Sequence, residues 1–145
     1  MKAHVVNDLR PYNTAAIVSG DLSMRAMVQL IVDHPELHYI YVVDESGKLL
    51  GLIGRKRLFQ AIFSHNVPAS SMVSKLYKLL TSEQASDLLI KHVLSCTEAD
   101  SLDKVINLMI KHQLDAIPVV AADGKLEGII NIERLFEEWL KEEKV

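Results

Sequence analysis

The stretch YIYVVDESGKLLGLIGRKRLF, residues 39–59, decides the fold because it recurs as AIPVVAADGKLEGIINIERLF, residues 116–136. At this spacing of 77 residues, Val42, Val43, Gly47, Lys48, Leu49, Gly51, Ile53, Arg57, Leu58 and Phe59 return unchanged as Val119, Val120, Gly124, Lys125, Leu126, Gly128, Ile130, Arg134, Leu135 and Phe136. Upstream, SMRAMVQLIVDH (23–34) lies over SLDKVINLMIKH (101–112) at a spacing of 78. The single-residue change falls near Pro35, where a loop absorbs it. A chain that repeats itself at long period is built from copies of one supersecondary unit.

Both copies read alike. An apolar stretch opens each, Ala15–Val18 or Val93–Cys96. Ser23 or Ser101 then stands where a helix cap belongs. Met24, Met27, Val28 and Ile31, like Leu102, Val105, Ile106 and Met109, are spaced to share one helix face. Pro35 ends the first helix. Ile40–Val43 and Ile117–Val120 are short and β-branched, as strands are. The turns ESGK and ADGK carry a glycine for positive φ, and LLGLIG and LEGIIN supply the hairpin partners. A last helix places Leu58, Phe59, Ile62 and Phe63, or Leu135, Phe136, Trp139 and Leu140, on one face. The unit is β-α-β-β-α and the fold class α/β (α+β). The expected organisation is one tandem module: residues 1–70 hold the lead-in and first repeat, residues 71–145 the connector and second repeat. MVSKLYKLL (72–80) and SEQASDLLI (82–90) read as short connector helices that pack on the second repeat.

Composition narrows the function. The chain has 145 residues, 16 Lys plus Arg against 19 Asp plus Glu, and one cysteine. This length buries enough surface to fold without a staple, and one cysteine excludes an internal disulfide. A net charge of −3 offers no general field for nucleic acid. The longest apolar run, Tyr39–Val43, is far short of the about 20 residues that span a bilayer. The opening MKAHVVNDLRPYN lacks a signal peptide's apolar stretch, so the expected location is cytoplasmic. There is no HExxH, GxSxG, Walker loop or GxGxxG, and the expectation is a protein that is not an enzyme. His34 and His38 flank Pro35, which breaks the helix that would align them on a metal. Cys96 reads as a small buried hydrophobe, and Glu137, Glu138, Glu142 and Glu143 as a solvated helix face.

Residues 86–135 resemble a CBS domain, the module named from cystathionine β-synthase. The family pattern I-P-V-V-D-x-x-G-x-h-x-G-h-h is met by Ile117, Pro118, Val119, Val120, Gly124, Gly128, Ile129 and Ile130. The first repeat matches more loosely, with Tyr41 at the proline position. The resemblance implies a tandem pair with pseudo-twofold symmetry that homodimerises and acts as a regulatory or sensing module. Many such pairs bind AMP, ADP, ATP or S-adenosylmethionine in clefts between the repeats. Phe59, Phe63, Phe136 and Trp139 are the candidate dimer residues, with packing inside one chain as the other reading.

The family places Ser or Thr three residues after the hairpin glycine and Asp three residues further on. Here those positions are Gly54 and Arg57 in the first repeat, and Asn131 and Arg134 in the second. The ribose-reading Asp is missing from both. Arginine has only donors, so it cannot accept from ribose hydroxyls, but it binds phosphate well. Three readings stay open: a nucleotide with Arg57 or Arg134 on its phosphate, a different anion, or an unoccupied dimerisation scaffold. Arg55-Lys56-Arg57 at a helix start is either a phosphate site or a solvated turn. The remaining candidates are Ile17, Val18, Tyr39 and Tyr41 in the first repeat, and Leu94, Ser95, Cys96, Ile117 and Pro118 in the second. Tyr39 or Tyr41 could stack on a base, or both could be core or dimer surface. Ser95 can stand for the family's Thr, whereas Ile17 offers no hydroxyl.

Overall fold

The computed structural model describes residues 3–63 and 89–143. Of the expected connector helices at 72–80 and 82–90, all but Leu89 and Ile90 lie outside the described residues. The first repeat runs β1 (Ile17–Ser19), α1 (Met24–Asp33), β2 (Tyr39–Val43), β3 (Leu49–Gly54) and α2 (Arg55–Phe63). The second runs α3 (Leu102–His112), β4 (Ala116–Val120), β5 (Leu126–Asn131) and α4 (Ile132–Glu143). This is mixed α and β structure in two strand–helix repeats.

Local chemistry explains the elements. Ser23 Oγ accepts from Ala26 N at 3.1 Å, and Ser101 Oγ from Lys104 N at 3.2 Å, so each serine caps its helix as its position requires. Gly47 and Gly124 turn the two hairpins with φ of 86° and 88°, a region costly for a residue with a Cβ. β2 pairs antiparallel with β3, and β4 with β5; both hairpins slip register at the same repeat position, between Val42 and Val43 and between Val119 and Val120.

The expected strand at Val93–Cys96 does not form. β1 lies parallel to β2, but its counterpart is only an isolated bridge from Cys96 to Val119. Proline accounts for the difference. Tyr41 N donates to Ala16 O at 2.8 Å and extends the first ladder. Its repeat equivalent is Pro118, which has no N–H to give. Only Cys96 N to Pro118 O and Val120 N to Cys96 O remain, at 2.9 and 2.8 Å.

The chain forms two compact units. One unit joins the residues before Ala16 to those from Leu94 onward; the other runs from Ala16 to Val93. In the first of these, Val6 and Leu9 of the lead-in are fully buried beside Leu102, Val105, Ile117 and Ile130. Val6 N and Asn7 N donate to Asp100 O and Glu98 O, both at 3.0 Å, and Arg10 pairs with Glu98 and Glu127. Asn13 and Ile129 exchange both backbone bonds, at 3.3 and 2.9 Å. In the other unit Met27, Ile40, Val42, Ile53, Leu58 and Ala61 form the core. There Ile90 exchanges both bonds with Leu52, at 3.0 and 2.8 Å. Leu89 and Ile90 therefore lie on the first repeat's hairpin. Burial of each large apolar side chain contributes about 1.5–3 kcal/mol to such cores.

Both crossings pass over a glycine. A Cβ on Gly51 would stand 2.5 Å from Ile90 O, and one on Gly128 would overlap Tyr12 Cβ. Gly128→Ala is expected to destabilise the protein by about 1–3 kcal/mol, the usual range for overpacking a filled site. Urea unfolding followed by tyrosine and tryptophan signals measures this; an unchanged midpoint would show that Tyr12 moves aside freely.

Candidate functional site

The last strand of each hairpin runs straight into a helix, and the candidate residues cluster at that junction. In the second repeat β5 ends at Asn131, whose Oδ1 accepts from Arg134 N at 2.9 Å. Asn131 thus caps α4 and uses the N–H that a bound anion would otherwise claim. Around this cap lies a pocket of about 220 Å³, with Pro11, Tyr12 and Asn13 of the lead-in on one side and Ile129, Asn131, Glu133, Arg134 and Glu137 on the other. The backbone exchange between Asn13 and Ile129 fixes the two walls at one spacing.

Arg134 lines this pocket but is not free. Its Nη1 donates to Glu138 Oε1 at 2.6 Å and stands 3.7 Å from Glu137 Oε2. Lys141 Nζ donates to the same Glu138 oxygen at 3.2 Å. Glu138 is only 7% exposed, which corrects its reading as part of a solvated face. The Arg134 bond first, and then the Lys141 bond, hold its carboxyl below the usual glutamate range against the opposing effect of burial. Withdrawing Arg134 to grip a phosphate would leave this buried carboxylate with Lys141 alone, an unfavourable exchange.

The first repeat presents opposite chemistry at equivalent positions. β3 ends at Gly54, and α2 begins with Arg55, Lys56 and Arg57. Lys56, Gln60 and Ala61 occupy the places of Glu133, Glu137 and Glu138. No carboxylate therefore lies one turn beyond Arg57. Its Nε is buried and, among the described residues, has no hydrogen-bond partner. Arg55 turns away instead, with Nη1 donating to Pro35 O at 3.3 Å.

The other candidates are more dispersed. Ile17 and Val18 are half-buried in β1, where Ile17 lies opposite Tyr41. Tyr41 is 2% exposed, so its ring is not offered at the surface, while Tyr39 is half-buried with its ring close to Gly54. Leu94 and Ser95 are exposed and lie outside any strand. Cys96, Ile117 and Pro118 are buried. The Cys96 thiol donates to Pro118 O at 3.6 Å, and burial pushes its pKa up to about 12, which keeps it protonated and unreactive. Sequence reasoning missed the lead-in wall of the pocket. The signal was present, since Asn13 and Ile90 are themselves 77 residues apart. It also missed the Arg134–Glu138–Lys141 group, although that spacing places the three on one helix face.

This chain belongs to the CBS domain family, whose model matches residues 6–64 and 85–141. A homoserine O-acetyltransferase of Methanosphaera stadtmanae is 30% identical over 136 residues, which make up 91% of this chain and 24% of that protein. The chain thus spans about a quarter of the length of the curated relatives it matches. Among solved structures, the CBS-pair protein CBSX2 from Arabidopsis thaliana, determined in complex with AMP, is 20% identical with a TM-score of 0.78 over 97% of this chain and 99% of that one. The CBS domain pair of protein MJ0100, determined with 5′-methylthioadenosine and S-adenosyl-L-methionine, is 18% identical with a TM-score of 0.68 over 93% of this chain and 98% of that one. Likeness at these identities concerns the fold.

The Glu138 pairing has a pH consequence. The native state holds this carboxyl ionised more firmly than the unfolded chain does. It therefore contributes stability above the ordinary glutamate pKa and loses that contribution as pH falls through its lowered native value. Glu138→Gln is expected to flatten the acid side of the stability profile between about pH 5 and pH 3. Urea midpoints across that range measure it; parallel profiles for the two proteins would refute the pairing's role.

Proposed function

We propose that this chain is a regulatory module that binds an adenosine-containing ligand, AMP, ADP, ATP or S-adenosylmethionine, at the heads of α2 and α4. The observation that carries this reading is the pocket at the α4 head, built around the two family positions Asn131 and Arg134. It is supported by the AMP held by CBSX2 and by the S-adenosylmethionine and methylthioadenosine held by the MJ0100 pair. Ile17, Val18, Tyr39, Tyr41, Gly54 and Arg55 in the first repeat, and Leu94, Ser95, Cys96, Ile117 and Pro118 in the second, belong to the same proposal as surrounding walls. Arg57 is its phosphate-binding residue, because its buried Nε is a donor awaiting an acceptor. The role is sensing rather than catalysis, and the location that suits these metabolites is the cytoplasm.

Pairing of two copies is part of the proposal. A groove of about 760 Å³ runs between α3 and α4, lined by Ile106, Met109, Ile110, Leu135, Phe136 and Trp139 among others. Ile110, Phe136 and Trp139 are 71, 62 and 54% exposed, and Phe59 and Phe63 are also exposed on α2. Apolar side chains recurring at equivalent positions of both repeats suit a second copy of this chain.

Thermal unfolding with each of the four ligands tests the first part. A ligand at 100 times its dissociation constant adds about 2.7 kcal/mol of stability. At least one should raise the midpoint; no shift with any of them would leave a dimerisation scaffold as the reading. Sedimentation at tens of micromolar is expected to give twice the 16.3 kDa chain mass, and a monomer alone would count against pairing.

A further inference from the structure

We propose that Glu137, and not Arg134, is the polar handle of the α4 pocket, where its carboxylate accepts from the ribose hydroxyls of an adenosine-type nucleoside that carries no phosphate. This rests on the ligand-binding reading above and names the ligand class of one of its sites.

Four observations converge on it. The position at which the family carries its ribose-reading Asp is Arg134, which has no acceptor to offer. Glu137 lies one helical turn further on, lines the same pocket, and is 64% exposed at its side chain, so it can be reached. Its only ion pair among the described residues is long, 3.7 Å to Arg134 Nη1, which leaves its oxygens lone pairs to spare. Two features that could favour a phosphate are engaged: Arg134 Nη1 by Glu138 at 2.6 Å, and the Arg134 N–H at the helix head by Asn131 at 2.9 Å.

Charge points the same way. Glu133 lies in the first turn of α4 and lines the pocket beside Glu137, so a phosphate there would face two carboxylates. At the equivalent head of α2 those acids are Lys56 and Gln60, so the exclusion of phosphate belongs to the second repeat alone.

The test is a titration of ¹⁵N-labelled protein with adenosine, 2′-deoxyadenosine and AMP, following the amides of Asn131 and Glu133. Adenosine is expected to move them with an affinity about tenfold better than either competitor, the usual scale for a hydrogen bond to a charged group. Glu137→Gln, which keeps the side chain's length, should bring adenosine and 2′-deoxyadenosine within about twofold and improve AMP relative to adenosine. The proposal is overturned if AMP binds this pocket as well as adenosine does, or if Glu137→Gln leaves the ribose preference intact. Binding that moves residues of α2 but never Asn131 or Glu133 overturns it while the broader reading stands. No binding of any of the three, with no thermal shift from the four ligands named earlier, defeats both.

Discussion

In each repeat the outer strand of the hairpin is closed by a segment from outside the hairpin. Asn13 supplies it to β5 at Ile129, and Ile90 supplies it to β3 at Leu52. An open strand edge would leave backbone donors and acceptors unpaired, which is costly once water is excluded. Closing it requires backbone to pass directly over Gly51 and Gly128, where a Cβ would collide. Those two glycines are the condition for the rest. Without the crossing, Val6 and Leu9 have no core to enter, and the lead-in wall of the α4 pocket has nothing to hold it.

Much of this was legible in the sequence because a repeat states its own boundaries twice. The serine caps, the glycine turns and the strands Tyr39–Val43 and Ala116–Val120 follow from local rules that leave few alternatives. The departures have physical causes. Pro118 removes the donor that would have carried the ladder into a strand at Val93–Cys96. The lead-in's attachment to the second repeat is a long-range pairing, to which hydrophobic periodicity is blind. Glu138 was misread because a glutamate on a charged helix is normally solvated, and only its contacts with Arg134 and Lys141 show that it is not.

The two repeats demonstrate how little of a fold is spent on its chemistry. Their hairpins share turn, register slip and glycine crossing, yet α2 opens on Arg55, Lys56 and Arg57 where α4 opens on Ile132, Glu133 and Arg134. Helices tolerate such changes on an accessible face at little cost in stability. Arg57 and Arg134 are the sharpest instance. The same residue at the same repeat position has, among the described residues, a donor without a partner in one case and an ion pair in the other, and its neighbours one turn on differ accordingly.

The attachment of the lead-in also sets an order of events in synthesis. Residues 4–13 leave the ribosome before their partners at 98–102 and 126–131. The lead-in must wait for those partners while some hundred residues are made, and the entropy of closing so long a loop falls on that late pairing. The unit spanning Ala16–Val93 suffers no such delay, since its closing residue Ile90 arrives soon after the strand it covers. Birth of the molecule at the ribosome is thus asymmetric, although its two repeats are nearly the same.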